Sequence, residues 1–287
     1  MRVQTLGLAA VLSSSIPLAS GQCSRDALQA AADHYVATRS TGLMNLRPLL
    51  IENASYIENN NATALTGGVL SQTMIPAHNR STIDTTACAT YTELIVVDEA
   101  KPYVIGTQIR YKATNTSSSP DGPRYGGLRA VLIDSVVSTT GSWMFNASQT
   151  LSHVIEENWG PIVDASKRDT RATLQQAADR YLDLWGPNAT AAAEKVPWGT
   201  PCRRLEGSMY TGQGRPDDRC DVGLPEGSSP PNTNRRYVID EEAGSVNVLC
   251  TFQTMQDAPD SHEFRVEGGR LRYVHTMTVC ACVFGGR

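Results

Sequence analysis

Lysine is scarce in this chain. It occurs only at positions 101, 112, 167 and 195, and 25 basic residues stand against 29 acidic ones for a net charge of −4. No basic patch or stripe is legible, which argues against a nucleic-acid partner. Beyond the first two dozen residues no run of eighteen apolar residues occurs, so no membrane span is expected. The P-loop, the dinucleotide glycine fingerprint, the nucleophile elbow, H-E-x-x-H and C-x-x-C are all missing. Their absence argues against a nucleotide cofactor, a covalent hydrolase and a zinc protease. The reading expects no cofactor and no metal ion, and leaves acid–base chemistry or simple binding.

What is present points first to a compartment. Arg2 gives a short positive start, residues 6–19 are mostly apolar and small, and Ala19, Ser20 and Gly21 suit a signal peptidase. A leader over 1–21 is expected, with the mature chain starting near Gln22. Six sequons follow, at Asn53, Asn61, Asn79, Asn115, Asn146 and Asn188, which predicts a glycoprotein with those sites exposed. Seven cysteines in an oxidising lumen predict structural disulfides, and an odd count leaves one thiol over or bonded to another chain.

The chain also repeats itself. Residues 24–36 and 170–182 share Arg, Leu, Gln, Ala, Ala, Asp and Tyr at matching places, an offset of 146. Each copy is an amphipathic helix, with stripes Leu28, Ala31, Ala32, Tyr35, Val36 and Leu174, Ala177, Ala178, Tyr181, Leu182. Ser24 and Thr170 stand where N-caps belong. Residues 56–59 resemble 204–207, pairing Glu58 with Glu206, and 128–137 resemble 271–278. The hairpin from Ile95 to Ile109 resembles that from Tyr237 to Thr251. Helices followed by runs of strands imply an α+β fold. Two tandem cone-shaped units are expected, each a curved antiparallel sheet with an N-terminal helix, related by internal duplication. The first covers 22–160 and the second 161–287, with a linker near Pro161 to Asp169. The Gly-, Pro- and Asn-rich stretch 207–234 reads as a long loop tied down by a Cys202–Cys220 bond.

The element order of each half resembles the nuclear transport factor 2-like, or polyketide-cyclase-like, fold. Longer words carry a second resemblance: Pro197-Trp-Gly-Thr-Pro-Cys-Arg-Arg-Leu-Glu-Gly207, Arg235-Arg-Tyr-Val-Ile-Asp240 and the stretch from Asp260 to Thr276, with Tyr56-Ile-Glu-Asn59 and Asp84 to Tyr91. Together they are similar to a large family of secreted fungal proteins that carries a domain of unknown function. The resemblance implies a filamentous-fungal source, a secretory route and a setting in secondary-metabolite biosynthesis. It supplies no catalytic set.

Candidate residues therefore come from chemistry. His262, Arg265, Arg272, Tyr273 and His275 crowd the last hairpin. Strand alternation puts Tyr273, His275 and Met277 on one face, expected to line the cavity. The catalytic candidates are His275 as proton carrier, Glu206 and His262. The substrate-binding candidates are Arg272, Tyr273, Trp198 and Arg204. His78 is a lesser candidate, His34 reads as a surface or interface residue, and His153 reads as structural. The first functional expectation is a cofactor-independent cyclase, isomerase or lyase acting on a fungal polyketide or terpenoid, with a small-molecule ligand. The alternative is a non-catalytic secreted binder or host-interacting protein. A further possibility is that one half serves only as a built-in partner, leaving a monomer with pseudo-dimeric halves.

Overall fold

The computed structural model describes residues 23–114 and 124–282. The expected leader at 1–21 and the sequon at Asn115 lie outside them. The first half opens with α1 (Arg25–Thr41) and α2 (Leu43–Leu46), then β1 (Leu50–Glu58), β2 (Asn61–Thr63), β3 (His78–Asp84), β4 (Ala89–Val96), β5 (Tyr103–Ala113) and β6 (Leu128–Thr139). A connecting helix, α3 (Ala147–Val154), leads to the second half. There α4 (Arg171–Leu182) and α5 (Ala189–Ala193) precede β7 (Arg203–Glu206), β8 (Met209–Tyr210), β9 (Asn232–Asp240), β10 (Ser245–Phe252), β11 (Ala258–Glu267) and β12 (Arg270–Thr278).

The two long helices start as their sequences predict. Ser24 Oγ accepts from the Ala27 N–H at 3.2 Å, and Thr170 Oγ1 from the Thr173 N–H at 3.3 Å. Each caps one of the donors a helix start leaves unpaired. The apolar stripe of α1 is buried in one core and that of α4 in another.

Both sheets have six strands, ordered β2-β1-β6-β5-β4-β3 and β8-β7-β12-β11-β10-β9. In both, one neighbouring pair is parallel, β1 with β6 and β7 with β12, and the other pairs are antiparallel. The chain is thus α+β with two similar units. Ladder register fixes which residues correspond. Glu58 pairs with Ser135 and Glu206 with Thr276, so Asp134 and His275 occupy the same place. Continuing across the ladders, Thr107 matches His262 and Ile105 matches Asp260. Leu94 then matches Cys250, and Asp84 matches Asp240.

That register corrects one expectation. The hairpin β9–β10 corresponds to β3–β4, not to the β4–β5 hairpin over Ile95 to Ile109. Short apolar strands with acidic turns look alike in sequence, and only the ladder order tells them apart.

The two sheets pack against each other through reciprocal contacts. Arg25, at the start of α1, forks onto Asp240 at 2.8 and 3.0 Å. Arg171, at the start of α4, forks onto Asp84 at 2.8 Å through both terminal nitrogens. Asp240 also accepts the Ile83 N–H at 3.0 Å, and Asp84 the Ile239 N–H at 2.9 Å. Residue i of one unit meets residue j of the other and vice versa, the signature of an isologous interface. Each sheet therefore has an inner face on its own helix and an outer face toward the other sheet. β4 is buried at all eight positions as a result.

Three disulfides join Cys23 to Cys88, Cys202 to Cys220 and Cys280 to Cys282, and Cys250 is free and buried. The second bond is the one expected from the loop. Asn53, Asn61, Asn79, Asn146 and Asn188 are all exposed. Among the described residues no helix is long and apolar enough to cross a membrane.

Candidate functional site

Strand alternation splits the predicted residues between the two faces of the second sheet. Tyr273 and His275 project from the outer face, His275 beside a small cavity at the seam and Tyr273 with Arg272 beside a surface cleft. His275 Nε2 lies 2.6 Å from Glu157 Oε2, on the chain after α3, and Nδ1 lies 3.5 Å from Glu93 Oε1, on β4. Burial opposes charge on the imidazole, but Glu157 and Glu93 outweigh it and hold its pKa up to about 10. Burial likewise opposes ionisation of Glu93, and Arg80 and His275 overcome it, driving that carboxyl well below its usual range. Arg80 reaches Glu93 at 2.9 Å and Glu263 at 2.8 Å, and the Trp159 ring covers its guanidinium at 3.7 Å. The cavity beside His275 and Glu93 holds about 20 Å³, room for one water molecule. This is a charge-matched seam between the units. An imidazolium so firmly protonated is poorly matched to proton transfer near neutrality.

Tyr273 stacks on Trp159 and accepts the Asn158 N–H at 3.4 Å. Arg272 reaches the Thr200 carbonyl at 3.2 Å on the surface. Trp198 donates to the Ala193 carbonyl at 3.1 Å and packs on the second core. None of these three borders the cleft described next. His78 begins β3 at the seam, His34 bonds the Asn45 carbonyl, and His153 stacks on Tyr210.

Glu206, Arg204 and His262 lie together on the inner face. A cleft of about 330 Å³ opens there, lined by Arg204, Glu206, Trp185, Phe252, Met255 and Trp143. Its size sits at the lower end of the range for small-molecule sites. Trp143 comes from the first half, so the cleft is completed across the units. Arg204 Nε lies 3.2 Å from Glu206 Oε2, and Arg204 Nη2 donates to the Val222 carbonyl at 2.6 Å. Burial pushes the Glu206 carboxyl above its ordinary value, with Arg204 and His262 pulling the other way.

Behind Glu206 sits a fully buried polar set. His262 Nδ1 lies 2.7 Å from Asp260 Oδ2. Thr278 Oγ1 donates to Asp260 Oδ1 at 2.8 Å, and Cys250 Sγ to Asp260 Oδ2 at 3.4 Å. The rings of Tyr181, Trp185, Phe252 and Phe264 surround the imidazole at centroid distances of 5.7 to 6.5 Å. Burial raises the Cys250 thiol far above its ordinary value. Sequence reading missed Cys250, Asp260 and Glu157. The first two meet through cross-strand pairing of β10 with β11, and Glu157 reaches His275 from a non-helical segment.

Set against known proteins, the chain matches no curated protein and no solved structure. Arg204, Glu206, Cys250, Asp260 and His262 all fall inside the one matched segment. Residues 167–278, spanning α4 and every strand of the second sheet, match the model of a family described as a domain of unknown function (DUF8021).

Proposed function

We propose that this chain is a secreted, N-glycosylated fungal enzyme, built by duplication of a cone-shaped unit. Its second unit cyclises, isomerises or eliminates from an apolar secondary metabolite, such as a polyketide or terpenoid. The observation that carries the reading is Glu206. It is a carboxyl with a raised pKa at the wall of an apolar cleft, beside Arg204 and among Trp143, Trp185, Phe252 and Met255. Such a carboxyl is poised for proton transfer nearer neutrality than an exposed one. Arg204 offers a cation to a carbonyl or enolate oxygen as charge develops there. The aromatic walls hold the hydrocarbon part and exclude water. The first unit serves as the built-in partner, supplying Trp143 to the cleft and its outer face to the seam. Three disulfides and the exposed sequons support the secretory route.

Replacing Glu206 with Gln in the producing strain tests this. The secreted level should hold, while one metabolite accumulates and its product falls by about a hundred- to ten-thousandfold in formation rate. An unchanged metabolite profile with normal secretion removes the catalytic reading. If a metabolite nonetheless copurifies with the protein, binding without catalysis replaces it.

A further inference from the structure

We propose that Cys250, Asp260 and His262 form a mononuclear site for a divalent transition-metal ion, with zinc best suited to a thiolate, carboxylate and imidazole donor set. The inference goes beyond the proposed reaction and does not depend on what enters the cleft.

The geometry comes from one hairpin. Cys250 and Asp260 are direct cross-strand partners on β10 and β11, and His262 is two residues on, on the same face. One ligand atom from each lies within 4.8 Å of the other two. All three residues are buried to 1% exposure or less. His262 Nδ1 makes no hydrogen bond among the described residues, although it lies 2.7 Å from Asp260 Oδ2. The nitrogen and the oxygen are close without the alignment a hydrogen bond needs.

The other unit shows that the fold does not require these groups. The places of Cys250, Asp260 and His262 are taken there by Leu94, Ile105 and Thr107, and that of Thr278 by Val137. Hydrocarbon side chains take three of these four places, and Thr107 at the fourth bonds Tyr35 at 3.0 Å and Ser135 at 2.9 Å, so the same frame is filled with no carboxylate, thiol or imidazole. A buried carboxylate needs a compensating charge, and among the described residues the one ion-pair neighbour of Asp260 is His262. A dication meets that need. The Cys250 thiol proton leaves to solvent as the metal–sulfur bond forms, and thiolate and carboxylate together balance the ion. His262 stays neutral, ligating through Nδ1 and keeping its proton on Nε2. Thr278 then orients the ligating carboxylate from behind, as outer partners of metal ligands do.

A rival cluster, Glu93, Glu263 and His275, is as compact. There the Arg80 guanidinium already lies 2.8 Å from Glu263 and 2.9 Å from Glu93, so a cation is already in place. Linear motif searching misses the Cys250 site because its ligands stand ten and twelve residues apart across a turn.

Untagged wild-type protein, stripped with a chelator and dialysed against Zn²⁺ or Co²⁺, provides the test. Elemental analysis should find one ion per chain, and the cobalt form should show a thiolate-to-metal charge-transfer band. Zn²⁺ should raise the melting temperature. Cys250→Ser and His262→Asn should each lose the ion and the band. A triple variant carrying the residues of the other unit, Cys250→Leu, Asp260→Ile and His262→Thr, copies a core that packs there without these ligands and should fold without binding metal. Wild type that takes up no ion, or uptake that persists in these variants, overturns the proposal.

Discussion

The inner faces of the two sheets share a frame and end with different chemistry. In the first unit the carboxyl at the end of the short parallel strand is closed off. Tyr56 donates to Glu58, and the Val69 N–H donates to it at 2.6 Å. Gly68 makes that approach possible. It has φ 58°, and a Cβ there would lie 2.2 Å from Glu58 Oε2. Arg39 holds the plug in place through the Val69, Leu70 and Gln72 carbonyls at 2.7 to 3.0 Å. In the second unit the helix offset of 146 puts Trp185 where Arg39 stands, and among the described residues no such plug covers Glu206. The matching carboxyl faces a cleft instead. The strands set where the carboxyl stands, and the loop after them decides whether it is structural or open to a ligand.

The largest effect should come from treating the two carboxyls alike. Glu206→Gln should cut turnover about a hundred- to ten-thousandfold with the fold intact. Glu58→Gln should leave turnover near wild type and lower the melting temperature, since a half-buried acceptor of two hydrogen bonds is weakened. Activity assays beside thermal melts read both, and equal loss of activity in the two variants would break the contrast.

The reciprocal arginines come next. Arg25→Met and Arg171→Met each strand a buried aspartate, Asp240 or Asp84. Each should cost about 3 kcal/mol, the low end for a broken buried pair because the guanidiniums are partly exposed. Denaturant melts should show two similar losses. A large loss in one and none in the other would mean that the interface is not symmetric in energy.

The seam differs between the units at Asp134 and His275. Asp134 pairs with Arg236 at 2.6 Å, while His275 lies between two carboxylates. The folded pKa of His275, about 10, is above its ordinary 6.5. Its contribution is therefore complete below about 6.5 and is lost as pH rises through about 10, with a slope of up to about 1.4 kcal/mol per pH unit. Burial also raises Asp134, against Arg236. The same sign places its loss as pH rises through its own folded value, on the acid side. Stability measured between about pH 6.5 and 10 should show the decline in wild type and in Asp134→Asn, and lose it in His275→Asn. An alkaline decline that survives His275→Asn would assign it elsewhere.

The smallest effect is at the caps. Ser24→Ala and Thr170→Ala should each cost about 1 kcal/mol, and near-equal values in urea melts would extend the likeness of the units to their energetics.

Much of this fold was legible in the residues. The repeated helices, their caps, the Glu58–Glu206 match and the last-strand match all hold in the structure, because each rests on local pattern. The Cys202–Cys220 bond was legible from the loop it closes. The hairpin match slipped by one strand, since nothing in β4 distinguishes it from β3 as the partner of β9. The site was half legible: Glu206, Arg204 and His262 share one face as candidates, while His275, Tyr273, Arg272 and Trp198 lie elsewhere.

Local periodicity and capping chemistry determined the helices, the strands and the repeat, because those signals act over a few residues. Which face of each strand is the inner one was decided only by the tertiary structure. A strand with one wet face announces its orientation by alternating polar and apolar residues. Here one face lies on a helix and the other on the second sheet, so both are buried and the alternation carries no direction. His262 and His275 therefore look equivalent in sequence. The packing of the two sheets puts His275 in the seam between them and His262 behind the cleft.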